Sequence, residues 1–131
     1  MTVAYVDSSA ILKLILHEAE SQSLTTAMAG FDDPVTSQIA VVEVTRAVHR
    51  TGLDPGFERI DAALDRISLV AVDADVVALA RHLEPVHVRT LDAIHLASAL
   101  SLGIDGITFI AYDGRLLDAA RAAGMSVASP S

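Results

Sequence analysis

Residues 2–16 read TVAYVDSSAILKLIL, and the fold turns on how that run divides. Val3, Ala4, Tyr5 and Val6 are an unbroken apolar run of the kind a buried strand shows. From Ser8 and Ser9 onward, Ala10, Ile11, Leu12 and Leu14 read as the start of a helix. Asp7 stands at the join. The carboxyl end of a strand in an open α/β sheet is where ligands bind, and it is equally where an aspartate caps the next helix.

The remainder repeats the same alternation. Glu20 to Ala29 is a short helical pattern stopped by Gly30 and the turn residues Asp32, Asp33 and Pro34, after which Pro34 to Thr36 reads as a brief strand. Ser37 is placed to cap a long helix from Gln38 to Arg50, ended by Thr51 and Gly52. Pro55 opens a helix from Gly56 to Arg66, and SLVAV at 68–72 is a β run. Asp73 to Glu84 follows as a helix with Val76, Val77, Leu79, Ala80 and Leu83 on its apolar side. Thr90 caps TLDAIHLASALSL, the strongest helical pattern, which ends at Gly103. ITFIAY at 107–112 runs into Asp113, a helix from Arg115 to Ala123, and a last short run from Met125 to Ala128. Strand and helix in alternation imply right-handed crossovers and a mainly parallel sheet covered on both faces. The expectation is a three-layer α/β/α domain of about five strands, spanning residues 1–131 as one unit.

Composition narrows the chemistry. Among 131 residues there is no cysteine, which excludes disulfides, thiolate metal sites and a cysteine nucleophile. Apolar residues make up 52% without counting glycine, enough to leave apolar surface for a partner or a second copy. No uninterrupted apolar stretch reaches the ~18 residues of a membrane span, so a soluble cytoplasmic protein is expected, with no membrane partner. The net charge is −8 and Lys13 is the only lysine, which argues against broad electrostatic capture of nucleic acid. Contact with nucleic acid then depends on local arginines or bound cations.

Most of the 17 acids lie in polar or turn contexts. Asp7, Glu43, Asp92 and Asp113 do not. Asp7 and Asp113 each end an apolar strand and so point to one sheet edge. Glu43 sits among valines in QIAVVEVTRAV, and Asp92 lies in the first turn of LDAIHLASAL with His95, Leu96 and Ala99 on its face. Each has an ordinary explanation when taken alone: a helix cap for the three aspartates, and for Glu43 an ion pair with Arg46 at i+3. Together they set several carboxylates in one pocket, where mutual repulsion opposes full ionisation and a divalent cation relieves it. All-oxygen ligands favour Mg2+ or Mn2+, and such an ion suits in-line displacement at phosphorus, making phosphodiester hydrolysis the best-fitting chemistry.

These residues also carry a resemblance. Tyr5-Val6-Asp7-Ser8-Ser9-Ala10, the helical Glu43, Leu91-Asp92-Ala93-Ile94-His95-Leu96-Ala97 and Phe109-Ile110-Ala111-Tyr112-Asp113 follow one another in the order and approximate spacing of the PIN-domain ribonucleases. The chain is most similar to the VapC toxins of toxin–antitoxin pairs, and the likeness spans nearly all of it. The resemblance implies a PIN fold, metal-dependent endoribonuclease activity on RNA and a cognate antitoxin. It implies that Asp7, Glu43, Asp92 and Asp113 hold Mg2+ or Mn2+, with Ser9 as a supporting hydroxyl. Many relatives place Thr or Ser two residues before the last acid; here that position is Ala111.

Other readings are weaker. A phosphoryl-accepting receiver or an aspartate-nucleophile hydrolase needs a lysine at a later strand end, and Lys13 lies in the first helix. No Gly-rich phosphate loop or G-x-S-x-G elbow is present. A PIN-like module that binds RNA or protein without cleaving is the non-enzymatic alternative. His95, one turn beyond Asp92, is within reach of a phosphate or substrate, but a helix histidine in an Ala-Leu setting is expected to pack or hydrogen-bond; His17, His49, His82 and His87 share no ligand spacing and read as surface. Arg46 and Arg50 share the face of Glu43, and Arg89 and Arg115 flank the last two acids, making these four the candidates for RNA contact. Ile11 to Leu16 with Leu24 and Met28, and Val41 to Val48, are the candidate groove for an antitoxin helix, and a homodimer is expected on the same apolar surplus.

Overall fold

The computed structural model describes residues 2–131. The strands are β1 (Val3–Val6), β2 (Asp33–Ser37), β3 (Ser68–Val70), β4 (Thr108–Ile110) and β5 (Ser126–Ala128). The helices are α1 (Ser8–Ile15), α2 (Ser21–Met28), α3 (Ile39–Thr51), α4 (Glu58–Leu64), α5 (Ala74–Arg81), α6 (Thr90–Ser101) and α7 (Gly114–Ala122). The sheet order is β3-β2-β1-β4-β5, and every neighbouring pair is parallel. This is the three-layer α/β/α architecture read from the alternation of strand and helix.

β1 is buried on both faces, and its side chains alternate between two cores. Val3 and Tyr5 join Phe109 of β4 with Leu96 and Ala99 of α6 and Leu116 and Ala120 of α7. Ala4 and Val6 join Ile11 of α1, Val44 of α3 and Ile60 of α4 on the opposite face. Tyr5 and Phe109 are register partners, and their rings stack at 5.0 Å between centroids and 11° between planes. Such a pair contributes about 0.5–1.5 kcal/mol beyond its buried area.

The strand order places the site. From β1 the chain runs outward through β2 and β3, then returns to the other side of β1 through β4 and β5. The direction reverses between β1 and β4, so their carboxyl ends flank the crevice where open α/β sheets bind ligands. Asp7 follows β1 directly, and its N–H donates to the Ile110 carbonyl at the end of β4, 3.1 Å away. Asp113 lies three residues beyond Ile110 and starts α7.

Local chemistry moves several boundaries. α4 begins at Glu58 instead of Gly56 because a turn intervenes: Phe57 takes a left-handed φ of 62°, and the buried Asp54 carboxylate accepts from the Ile60 N–H at 2.9 Å. Arg89, not Thr90, occupies the cap position of α6. Ser37 closes β2, and its hydroxyl accepts from the Ile39 N–H at 3.2 Å. Gly52 ends α3 in the left-handed region, as its place after Thr51 leads one to expect. The apolar side of α5 is largely outward: Val76 is buried, but Val77 is 52% and Leu79 41% exposed, because this helix packs mainly on α6. Among the described residues no helix is long and apolar enough to cross a membrane.

Candidate active site

Asp7 caps α1 from the end of β1, and its backbone is extended at φ −77° and ψ 173°. Its Oδ1 accepts from the Ala10 N–H at 3.0 Å and from the Ser9 hydroxyl at 2.8 Å. The cap reading and the site reading are therefore compatible, because one oxygen does the capping and Oδ2 has no partner among the described residues. The side chain is only 5% exposed. Burial pushes its carboxyl up to about 6, with repulsion from Asp92 adding to this and the two hydrogen bonds opposing it.

Glu43 projects from the middle of α3 toward α1 and α6. Its Oε1 accepts from Ser8 at 2.8 Å and from His95 Nε2 at 2.7 Å, so the ion pair with Arg46 is not formed. Partial burial works to raise its carboxyl, but the bonds from His95 and Ser8 outweigh that and hold it below the usual carboxylate range. Asp92, in the first turn of α6, has no ion pair among the described residues. Burial raises its carboxyl, as do the nearby charges of Asp113 and Glu43. Asp113 caps α7, with Oδ1 accepting from the N–H groups of Arg115 at 2.9 Å and Leu116 at 3.4 Å.

Each of the four acids thus keeps at least one oxygen without a protein partner, and none is neutralised by lysine or arginine among the described residues. An all-oxygen donor set of this kind could hold a hard divalent cation. The spacing is open: among the described residues no three such groups are close enough to form a metal cage as they stand.

Asp92 and Asp113 line a cleft of about 480 Å³ together with His87, Val88, Arg89, Gly114, Arg115 and Leu116. Two of the expected RNA-contacting arginines, Arg89 and Arg115, therefore share this cleft with two of the acids. Arg46 and Arg50 are exposed on α3 and lie outside the cleft lining. Ala111 is fully buried with its N–H donating to the Ala128 carbonyl at 3.3 Å, so the absent hydroxyl is replaced by core packing.

Residue-by-residue reading missed Ser8 and Tyr5, and expected His95 to pack or hydrogen-bond without naming its partners. All three belong to the layer directly beneath the acids. A signal existed for each: Tyr5 is two residues from Asp7 on a strand, Ser8 follows Asp7, and His95 is one helical turn from Asp92.

The family model described as the PIN domain matches residues 4–122. Ribonuclease VapC46 of Mycobacterium tuberculosis is 43% identical over 134 residues, covering 100% of both chains. Ribonuclease VapC47 of the same species is 38% identical, covering 96% of each. Among solved structures, VapBC2 from Rickettsia felis, bound to a DNA fragment from its promoter, superposes with a TM-score of 0.76 at 12% identity, covering 99% of this chain and 100% of that one. The chain belongs to the PIN-domain family, among its VapC-type ribonucleases.

Proposed function

We propose that this chain is a Mg2+- or Mn2+-dependent endoribonuclease, the toxin of a toxin–antitoxin pair, in which Asp7, Glu43, Asp92 and Asp113 hold the cation. The observation that carries this reading is the set of carboxylate oxygens without protein partners at the switch point between β1 and β4, beside a cleft bordered by arginines. A bound cation supplies an activated water and offsets charge developing at phosphorus.

The chain's own residues provide the rest. Ser9 and the Ala10 N–H fix Asp7 Oδ1, and Ser8 and His95 fix Glu43 Oε1, so the free oxygens of both acids are held in place. Arg89 and Arg115 attract the phosphodiester backbone to the cleft that Asp92 and Asp113 line, supplying locally the positive charge that the net balance withholds. RNA as substrate implies a cytoplasmic setting.

The test is cleavage of a structured RNA with Mg2+, with Mn2+ and with chelator. Wild type is expected to cut only with the metals, and Asp92→Asn to lose about a hundredfold or more in rate. An Arg89→Ala, Arg115→Ala double variant is expected to bind RNA more weakly with a shallower salt slope. A second reading, a module that binds without cleaving, draws on the open spacing of the acids. RNA binding with no cleavage under any divalent cation selects it.

The antitoxin reading is supported by the VapBC2 neighbour and by a toxin–antitoxin complex from Klebsiella pneumoniae, which superposes with a TM-score of 0.75 at 18% identity. A groove of about 610 Å³ between α1, α2 and α4, lined by Leu14, Met28, Ala63 and Ile67 with Arg59 and Arg66 beside them, suits an amphipathic helix. The groove draws on α4 where α3 was expected, since Val44 and Val48 are core. Self-association would use the outward Val77 and Leu79 of α5. Light scattering with and without the neighbouring gene's product is expected to report a heteromeric complex; a monomer unchanged by that product rejects both partners.

A further inference from the structure

Beneath the acids a buried hydrogen-bonded chain joins three elements. The Tyr5 hydroxyl on β1 lies 2.6 Å from His95 Nδ1 on α6, and His95 Nε2 lies 2.7 Å from Glu43 Oε1 on α3. Tyr5 is fully buried and His95 is 2% exposed, so neither reaches a substrate. The proton order follows from the end groups. The Glu43 carboxylate only accepts, so Nε2 carries the proton, and Nδ1 is left to accept from Tyr5. Thr36 and Ser98 also neighbour the Tyr5 hydroxyl, and their own hydroxyls donate to the carbonyls of Val6 at 2.6 Å and Ile94 at 2.7 Å. The hydrogen bond that the Tyr5 hydroxyl itself makes is the 2.6 Å one to His95 Nδ1, which with Nε2 protonated accepts the Tyr5 proton.

An imidazole at this position is costly to bury unless both nitrogens are bonded, and a leucine or methionine would fill comparable volume without that cost. What histidine adds is direction. Tyr5 stands on β1 two residues before Asp7, which follows that strand, and His95 follows Asp92 by three on one helix, so the hydrogen-bonded chain ties together the segments that carry Asp7, Asp92 and Glu43.

We propose that His95 is a positioning residue for the acidic site: oriented by Tyr5, it holds Glu43 Oε1 and thereby presents Glu43 Oε2 to the divalent cation. The proposal rests on the metal-dependent reading above. Partners of this kind, one bond removed from a ligand, typically change metal affinity ten- to a hundredfold when lost.

The test is calorimetric titration of Mn2+ alone into the full chain, for wild type, His95→Leu, His95→Gln and Tyr5→Phe, with circular dichroism to verify folding. His95→Leu is expected to raise the Mn2+ Kd by about tenfold or more, and Tyr5→Phe by about threefold or more. His95→Gln, which keeps an N–H for Glu43, is expected to stay nearer to wild type than the leucine variant. A folded His95→Leu that binds Mn2+ as wild type does overturns the proposal by reducing His95 to packing. If the leucine variant fails to fold, Tyr5→Phe decides, since it keeps the ring and removes only the hydroxyl: unchanged affinity overturns the proposal. A wild-type chain that neither binds Mn2+ nor cleaves RNA removes the metal-dependent reading itself and the proposal with it, a failure that the wild-type arm alone distinguishes.

Discussion

Asp7→Asn is expected to melt at a higher temperature than wild type at pH 7.5 in metal-free buffer while losing RNA cleavage by about a hundredfold or more. The side chain is 5% exposed, and burial raises its carboxyl from the ordinary 3.8 to about 6. Below 3.8 both the native and the unfolded chain carry the proton. As the pH rises from there to about 6 the unfolded chain releases it while the native chain keeps it, so stability falls through that window and stays lower above it. The full difference is on the order of 3 kcal/mol at neutral pH. Asparagine carries no charge to bury and still accepts from the Ala10 N–H, so it recovers much of that difference. Melting curves from pH 4.5 to 8 check the sign: the two proteins are expected to converge in acid and separate toward neutrality. Adding Mn2+ is expected to raise the melting temperature of wild type and leave the variant nearly unmoved. Parallel curves at all pH values, with or without metal, contradict the assignment of a buried, metal-seeking charge to Asp7.

Glu43→Ala is expected to cost both activity and stability, and Glu43→Gln chiefly activity. Truncation to alanine removes the carboxylate to which the His95 Nε2–H and the Ser8 hydroxyl both donate, leaving the Nε2–H the 3.1 Å contact with the Ser8 oxygen and the Ser8 proton without its acceptor. Leaving buried or half-buried donors without an acceptor costs about 1–3 kcal/mol. Glutamine keeps an oxygen in the same place and removes only the charge, so its stability is expected within about 1 kcal/mol of wild type. Both variants are expected to lose about a hundredfold or more in cleavage, because neither offers a carboxylate. Denaturant unfolding separates the effects, with a shifted midpoint at unchanged slope for alanine. A glutamine variant as unstable as the alanine one indicates that charge, not the acceptor, supports His95.

Much of the fold was legible because its signals are local. The apolar run Val3–Val6 against the helical spacing from Ala10 to Leu14 marks β1 and α1, and Gly52 and Gly103 mark helix ends through their left-handed φ. Boundaries slipped where a single residue diverts the backbone, as at Phe57 and Asp54 before α4. Periodicity also could not tell which apolar side a helix buries: Val77 and Leu79 match a buried face of α5 and lie in solvent. Spacing identifies a face, and the element that packs there decides whether it is covered.

The same division holds at the site. By itself the sequence determined that strand and helix alternate, that Asp7 and Asp113 follow strands, and that Glu43 and Asp92 sit on helices in apolar company, because residue order and local propensity suffice for these. Only the tertiary structure decided that β4 returns beside β1, so that Asp7 and Asp113 share a switch point. Only it decided that Glu43 bonds His95 across 52 positions of sequence instead of Arg46 at i+3. The physical reason is that a buried hydrogen bond between distant residues depends on which elements the packed cores bring together, and no local pattern in the chain encodes that choice.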